Sequence, residues 1–222
     1  MKVIFKSFKE IIRLLRMLNL YPLFSEKERE VLPFILSEYQ NDIDPELKLK
    51  VYELLLELRH RLKKKFGLII VLGWRKEWNE KYAAIADSSQ NIFKDKHFDL
   101  KNCSLKQCYE VFKNIVDFDG AILVNKDGLV LASGVYLDNV HPKQVAKILN
   151  PAKAEDLSSA FGFMKKVHTR HLAAIAASYI LKNTTVYVVS EEDRSLRIFE
   201  RGRIIWSTNK SEIKKIIDEK KV

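Results

Sequence analysis

Apolar residues near the N-terminus recur at steps of three and four positions, which is the spacing of an amphipathic helix. The pattern stops at residues 19–24, where Pro22 lacks a backbone donor and breaks the helix. Ser25 and Glu28 then form a capping-box pattern, so we expect a second helix to begin there. The apolar stripe of the first helix comprises Ile4, Phe8, Ile11, Leu15 and Leu18.

A third helix has clearer start and stop signals. Asp44 can cap its N-terminus, and Pro45 suits its first position because the backbone N–H that proline lacks would be unpaired there anyway. Basic residues at 59–65 suit its C-terminal end, where the helix dipole favours positive charge. Its apolar stripe comprises Leu47, Val51, Leu54, Leu58 and Leu62.

From Gly67 onward the pattern changes to short apolar runs that indicate β-strands. Residues 67–73 form one buried run, and residues 121–124 and 129–136 predict two strands joined by a hairpin turn. The remaining predicted elements are strands at 82–86, 184–190, 196–200 and 203–206, helices at 104–116 and 170–181, and short helices within 138–168.

Strands and helices mixed in this way predict an α/β or α+β fold, with a mixed twisted β-sheet flanked by helices. A small helical N-terminal region precedes the sheet domain. We place the helical region at 1–45, the sheet domain at 46–208 and a charged C-terminal helix at 209–222. We expect the charged helix to present a solvated face.

The formal net charge of +10 favours anionic partners such as nucleotides, nucleic acids or anionic lipids. No zinc-finger spacing or basic repeat with interleaved aromatic residues is present, so no stable nucleic-acid partner is expected. The longest apolar run, residues 67–74, is far shorter than the roughly 20 residues of a membrane span. Charges at Lys6, Lys9, Glu10 and Arg13 interrupt any signal-peptide core, so we expect a cytoplasmic protein without a transmembrane segment.

Asp119 and Gly120 stand immediately before the first strand of the predicted hairpin. A carboxylate at this place can bind a divalent metal or accept a proton. Gly120 and Ala121 leave room for a ligand to approach the backbone because they have almost no side chain. The alternative interpretation is that Asp-Gly is an ordinary turn.

Thr169, Arg170 and His171 stand at the start of an Ala-rich helix. The free N–H groups of a helix N-terminus attract phosphate, and these three side chains can add further donors. The alternative is that Thr169 caps the helix and that the two basic residues lie on the surface.

Ser190, Glu191 and Glu192 follow the buried run at 184–190. Polar residues at the end of a strand commonly line sites, because loops carry many functional groups. The same residue types also form ordinary turns, and the sequence alone leaves both interpretations open.

The order of five motifs in the chain resembles the diadenylate cyclase family. The motifs are GLIIVL, DGAILV, ASGVYL, TRHLAA and VVSEE, and the family shows similar runs in the same order. The resemblance covers roughly residues 50–208. It implies a nucleotidyltransferase that joins two ATP molecules into cyclic di-AMP and releases two pyrophosphates.

The resemblance also implies roles for individual residues. Asp119 would hold Mg²⁺ or Mn²⁺ and help to deprotonate the ribose 3′-OH, and Glu192 would assist with the metal. Arg170 and His171 would act with Asp119 in catalysis by gripping the phosphates. The residues implied to contact the nucleotide are Gly120, Ala121, Tyr136, Leu137, Thr169, Arg170, His171, Ser190 and Glu191.

Each domain of this kind would bind one ATP, so the resemblance implies a homo-oligomer with facing active sites. Two residues depart from the family pattern: His168 replaces a glycine and Leu172 replaces an arginine. These departures motivate a second hypothesis, a catalytically impaired nucleotide-binding or regulatory module of the same fold. The basic charge and the first amphipathic helix motivate a third, a protein that binds nucleic acid or a membrane surface.

Overall fold

A computed structural model describes residues 42–209 and 211–212 of the chain. The two helices predicted before Asp44, and the predicted C-terminal helix beyond Glu212, lie outside the described residues. The helices are α1 (Pro45–Arg61), α2 (Asn79–Tyr82), α3 (Leu105–Phe112), α4 (Pro142–Leu149), α5 (Leu157–Ala160) and α6 (Thr169–Ile180). The strands are β1 (Leu68–Trp74), β2 (Ala83–Ile85), β3 (Phe98–Asp99), β4 (Ala121–Asn125), β5 (Leu129–Leu137), β6 (Thr185–Val189), β7 (Leu196–Glu200) and β8 (Arg203–Ser207).

All of the strands belong to one mixed sheet. Their order is β2-β5-β4-β1-β6-β7-β8, and the short β3 pairs with the other end of β5. β1 and β4 run parallel, whereas every other pair in the described chain is antiparallel. The predicted mixed sheet flanked by helices is therefore confirmed.

Helices cover both faces of the sheet, which explains why β1 is apolar at every position. Leu68, Ile70 and Leu72 face a core that includes the apolar stripe of α1 and residues of α3. Ile69 and Val71 face the opposite core, to which α4 and α6 contribute. All seven residues of β1 are buried.

Local signals place the two helices of the first face. The Asp44 carboxylate accepts a hydrogen bond from the N–H of Glu46 at 3.0 Å, and Pro45 occupies the first turn of α1 as predicted. Ser104 and Gln107 form a complete capping box at the start of α3. Such reciprocal bonds satisfy backbone donors that a helix start leaves unpaired.

Two expectations about helix ends are corrected. α6 begins at Thr169, and its N-cap is His168 rather than Thr169. The C-terminal segment does not present only a solvated face, because Glu212 is 2% exposed. Glu212 is buried because it forms an ion pair with Arg197 inside the protein.

No helix among residues 42–209 and 211–212 is long and apolar enough to cross a lipid bilayer.

Candidate functional site

Three neighbouring strands bring the candidate residues to one edge of the sheet. β1 begins, β4 begins and β6 ends at this edge, as the pairs Ile69–Ala121 and Leu68–Val189 show. β1 lies between the other two strands. Because neighbouring strands lie about 4.8 Å apart, the residues just before β4 and just after β6 are separated by about 10 Å. The Asp119 segment and the Ser190 segment therefore flank the start of β1.

The chain enters β4 through a tight backbone turn at Gly120. Its φ is +80°, and an added Cβ would lie 2.4 Å from the carbonyl oxygen of Val135, so only glycine fits there without displacement. The backbone N–H of Asp119 donates to Oε1 of Gln90 at 2.8 Å. Asp119 is exposed, and no side chain in the described part of the chain forms an ion pair with it. Its carboxylate is therefore presented to solvent beside buried Ala121.

The start of α6 meets the same edge. The guanidinium of Arg170 lies so close to Gly67 that a Cβ there would be 1.9 Å from Nη1. Thr169 is exposed in the first turn. His168 supplies no side-chain capping bond to α6 within the described structure. The first backbone N–H groups of the helix thus lack a capping side chain at the place where Thr169 and Arg170 are presented.

The turn between β6 and β7 carries two carboxylates that face the start of α6. Nη1 of Arg170 lies 3.4 Å from Oε2 of Glu191. Nε2 of His168 lies 3.1 Å from Oε1 of Glu192. Both glutamates are exposed, so the pairs are accessible to a competing ligand. An anion that bound Arg170 would compete with Glu191 for the same donors.

The same turn is attached to the end of α1. Arg194 has a positive φ of 57° and donates to the carbonyl oxygens of Arg59, Leu62 and Lys63. Ser190 is buried, and its Oγ accepts from the N–H of Asp193 at 3.4 Å. The turn is therefore held by backbone and side-chain bonds on the side away from α6.

His171 is buried behind the start of α6 rather than exposed beside Thr169. Burial, and then the nearby Arg197, lower the pKa of His171 to about 4. Nη1 of Arg197 lies 3.0 Å from Nε2 of His171. Because arginine is always a donor, Nε2 is the acceptor and the proton of the neutral ring sits on Nδ1. At neutral pH this side chain offers an N–H group and not a positive charge.

Tyr136 and Leu137 lie at the end of β5, next to the start of β4, since Val135 pairs with Ala121. Successive residues of a strand point to opposite faces. Leu137 packs against the core that includes Ala121, whereas Tyr136 is 54% exposed. The structure places both residues beside the Asp119 segment but on different faces of the sheet.

An open cleft of about 690 Å³ borders α6 on the side of the connection before it. Its lining includes Phe163, Lys165, Lys166 and Leu172. Leu172, which replaces an arginine of the family pattern, is partly buried against the neighbouring core. The two lysines are exposed and supply positive charge near the start of α6.

Within the described residues, the predicted metal ligands do not form a closed metal centre by themselves. Asp119 and Glu192 stand on opposite sides of β1, and Glu192 is paired with His168. In the described residues there is no group of three or more His, Cys, Asp or Glu side chains that could hold a metal. A divalent ion would need oxygen atoms from another source, such as substrate phosphates.

Sequence reasoning missed a buried polar network behind the site, formed by Arg197, Glu212 and Ser195. The only signal for it was Arg197, a charged residue that lies on the same face of its strand as the apolar Phe199. A charge at an inward-facing strand position indicates a buried partner. The partner itself is remote in the sequence and could not be identified from the pattern.

Comparison with known protein families identifies the family of this chain. The model of the DAC family, described as "DisA bacterial checkpoint controller nucleotide-binding", matches residues 57–204. The match spans more than half of the chain, and the protein belongs to this family. The resemblance inferred from the five motifs is thereby confirmed. The comparison with curated proteins finds no match to this chain.

Two solved structures are similar to this chain at low identity. A double mutant of DacA from Staphylococcus aureus has 20% identity and a TM-score of 0.43, with 76% of this chain and 91% of that chain covered. A protein from Bacillus cereus titled a hypothetical membrane spanning protein has 20% identity and a TM-score of 0.44. The second match covers 88% of this chain and 75% of that chain.

Proposed function

We propose that this protein is a diadenylate cyclase, which condenses two ATP molecules into cyclic di-AMP and releases two pyrophosphates. The observation that carries the proposal is that two kinds of functional group lie at the same edge of the sheet in a nucleotide-binding DAC domain. An exposed carboxylate, Asp119, stands there on one side of β1, and the Arg170–Glu191 pair stands on the other. Acid–base chemistry and phosphate binding are the two functions that this reaction requires.

In the proposed reaction, the 3′-oxygen of one ATP attacks the α-phosphorus of the other. A P–O bond forms, the bond to the pyrophosphate breaks, and the hydroxyl proton leaves through Asp119. Arg170 and Thr169 bind phosphate oxygens, together with the first N–H groups of α6. Positioning and charge stabilisation are then the main sources of rate enhancement.

The other nucleotide contacts follow from position along the edge. Gly120 and Ala121 let the nucleotide approach the backbone because their side chains are small. Ser190 and Glu191 contact the nucleotide from the opposite side of β1. Tyr136 or Leu137 contacts the adenine, depending on which face of β5 the base occupies. His171 is buried behind the start of α6 as a neutral side chain that carries its proton on Nδ1 and accepts from Arg197.

The donor chemistry at Asp119 fits Mg²⁺ or Mn²⁺ held jointly with a substrate. Mg²⁺ is commonly bound by one or two carboxylates plus substrate phosphates, and the exposed Asp119 supplies one such carboxylate. Glu192 could contribute the carboxylate oxygen that does not face His168. When bound, the metal would neutralise phosphate charge and lower the pKa of the ribose hydroxyl.

Two ATP molecules must meet head to tail for the ring to close, and residues 42–209 of one chain offer one such edge. We therefore propose a homo-oligomer in which two edges face each other, with Asp119 of each chain acting on the nucleotide of its partner. A symmetric pair satisfies this requirement because both chains contribute the same surface.

The test is incubation of the purified protein with ATP and Mn²⁺ or Mg²⁺, followed by mass spectrometry for cyclic di-AMP. We expect product from the unaltered protein and none from Asp119→Asn. The matched control is Asp127→Asn, which changes an exposed aspartate at the opposite end of the β4 hairpin and should leave turnover unchanged. Absence of product with either metal, from protein shown to be oligomeric, would contradict the proposal.

A nucleotide-binding module without turnover is the second candidate function. The specific observation in its favour is the pair between His168 and Glu192, since it engages one predicted metal ligand with a residue that departs from the family pattern. Calorimetry separates the two candidates. Binding of ATP without any cyclic product supports the module, whereas measurable turnover excludes it.

A further inference from the structure

Arg197 lies at the centre of a buried polar network behind the candidate site. It is 3% exposed, and its Nε and Nη2 each donate to a carboxylate oxygen of Glu212 at 2.9 Å. Ser207 also donates to Glu212, at 2.6 Å. A planar guanidinium paired with a carboxylate through two parallel bonds has a fixed orientation.

The remaining face of the guanidinium joins the two segments that carry the site. Nη1 of Arg197 donates to Nε2 of His171 at 3.0 Å and to Oγ of Ser195 at 2.5 Å. His171 lies in the first turn of α6, beside Arg170, and Ser195 closes the turn that carries Glu191. A single buried side chain thus bonds to both segments whose exposed residues form the Arg170–Glu191 pair.

The contacts of Arg197 exceed what its burial alone requires. The pair with Glu212 already compensates the buried charge, and the ring of Phe163 lies 5.6 Å from the guanidinium carbon. The bonds to His171 and Ser195 have a different consequence, since they fix the separation of α6 from the β6–β7 turn. Glu212 in turn fixes Arg197, although it belongs to the C-terminal segment.

We propose that Arg197 and Glu212 are positioning residues for the nucleotide site. They hold the start of α6 and the β6–β7 turn at the separation that phosphate binding requires. This inference rests on the proposed function, because it assigns the phosphates to the groups that the network positions. It also makes the segment that contains Glu212 a part of the site's support.

The experiment compares this network with a second buried ion pair on the same strand. Lys48 and Glu200 are 3% and 2% exposed and lie 2.7 Å apart, at the other end of β7 and against the opposite core. The test variants are Arg197→Met, Arg197→Lys and Glu212→Gln, and the controls are Lys48→Met and Glu200→Gln. Each is measured for ATP affinity by calorimetry and for stability by urea unfolding.

We expect the test variants to weaken ATP binding about tenfold or more, with Glu212→Gln the mildest because it keeps the side-chain shape. The controls should lose stability but bind ATP as the unaltered protein does. If Arg197→Met does not fold, Glu212→Gln carries the comparison. Equal affinity in folded test variants and unaltered protein would overturn the inference and leave the proposed function standing. Absence of ATP binding by the unaltered protein would overturn the proposed function, and the inference with it.

A spectroscopic readout tests the link without relying on affinity. In the unaltered protein, nitrogen NMR should show that Nδ1 of His171 carries the proton and that Nε2 does not. In Arg197→Met the donor to Nε2 is lost, so both tautomers of the neutral ring should appear, with the proton on Nδ1 or on Nε2. An unchanged His171 signal in that variant would contradict the positioning role.

Discussion

The guanidinium of Arg170 lies against the backbone of Gly67, closer than any side chain at that residue would permit. An added Cβ would be 1.9 Å from Nη1 and 2.5 Å from Cζ. Gly67 is the last residue of the connection from α1 to β1. The backbone just before the central strand β1 therefore determines the position of the Arg170 guanidinium. The glycine is therefore required for close approach and not for an unusual backbone angle.

Gly67→Ala should displace Arg170 while preserving the fold. The colliding atoms are the far end of a flexible side chain, so the arginine can move aside at little cost to stability. We expect ATP affinity to fall about ten- to a hundredfold, the loss of one charge-assisted contact being worth roughly 1.5–3 kcal/mol. Calorimetry with ATP measures the effect, and thermal unfolding checks that the variant is folded.

The double variant Gly67→Ala with Arg170→Met provides the control for this prediction. If the methyl group acts only by moving Arg170, the double variant should bind ATP no more weakly than Arg170→Met alone. Additive losses would show that the methyl group at residue 67 obstructs the nucleotide directly.

Elements with local signals could be predicted from the sequence, because their causes lie within a few residues. The Asp44 cap and the Pro45 start appear in the structure as the pattern indicated, and α3 begins within the helix predicted at 104–116. The apolar run at β1 predicted a buried strand, and both of its faces are covered. These features depend on backbone geometry and side-chain type alone.

Features that depend on distant partners could not be predicted. The order of strands places β6 beside β1, although more than a hundred residues separate them. Glu212 was interpreted as part of a solvated face because nothing near it in the sequence indicates that Arg197 buries it. The faces of Tyr136 and Leu137 likewise follow from the pleat of β5 and from which helices cover it.

Acid should destabilise the protein through His171. Burial and the nearby Arg197 lower its pKa in the folded state to about 4, whereas the pKa of an unfolded histidine is about 6.5. Between these values the unfolded chain binds the extra proton, so the free energy of unfolding falls as pH decreases from 6.5 to 4. The loss from this residue is at most about 3–4 kcal/mol.

Urea unfolding at pH 7 and pH 5 measures this effect in the unaltered protein and in His171→Gln. We expect the variant to lose less stability on acidification than the unaltered protein. His141→Gln serves as the matched control, because His141 is exposed, and it should keep the original pH dependence. An equal dependence in His171→Gln and the unaltered protein would show that the buried ring does not titrate as inferred.

The buried pair of Lys48 and Glu200 should stabilise the fold only as long as both partners are present. Nζ of Lys48 lies 2.7 Å from Oε1 of Glu200, which also accepts from the hydroxyl of Thr185 at 2.6 Å. Burial acts first to lower the pKa of Lys48, and Glu200 counteracts it. Removing one charge breaks this buried ion pair, at a cost of about 3–5 kcal/mol.

Lys48→Met should therefore be strongly destabilising, whereas the double variant Lys48→Met with Glu200→Gln should recover part of the loss. The recovery is expected because the glutamine is neutral and can still accept from Thr185. Urea unfolding of the unaltered protein, both single variants and the double variant gives the interaction energy directly. A double variant less stable than Lys48→Met alone would mean that the carboxylate stabilises the fold through its other partners and not through Lys48.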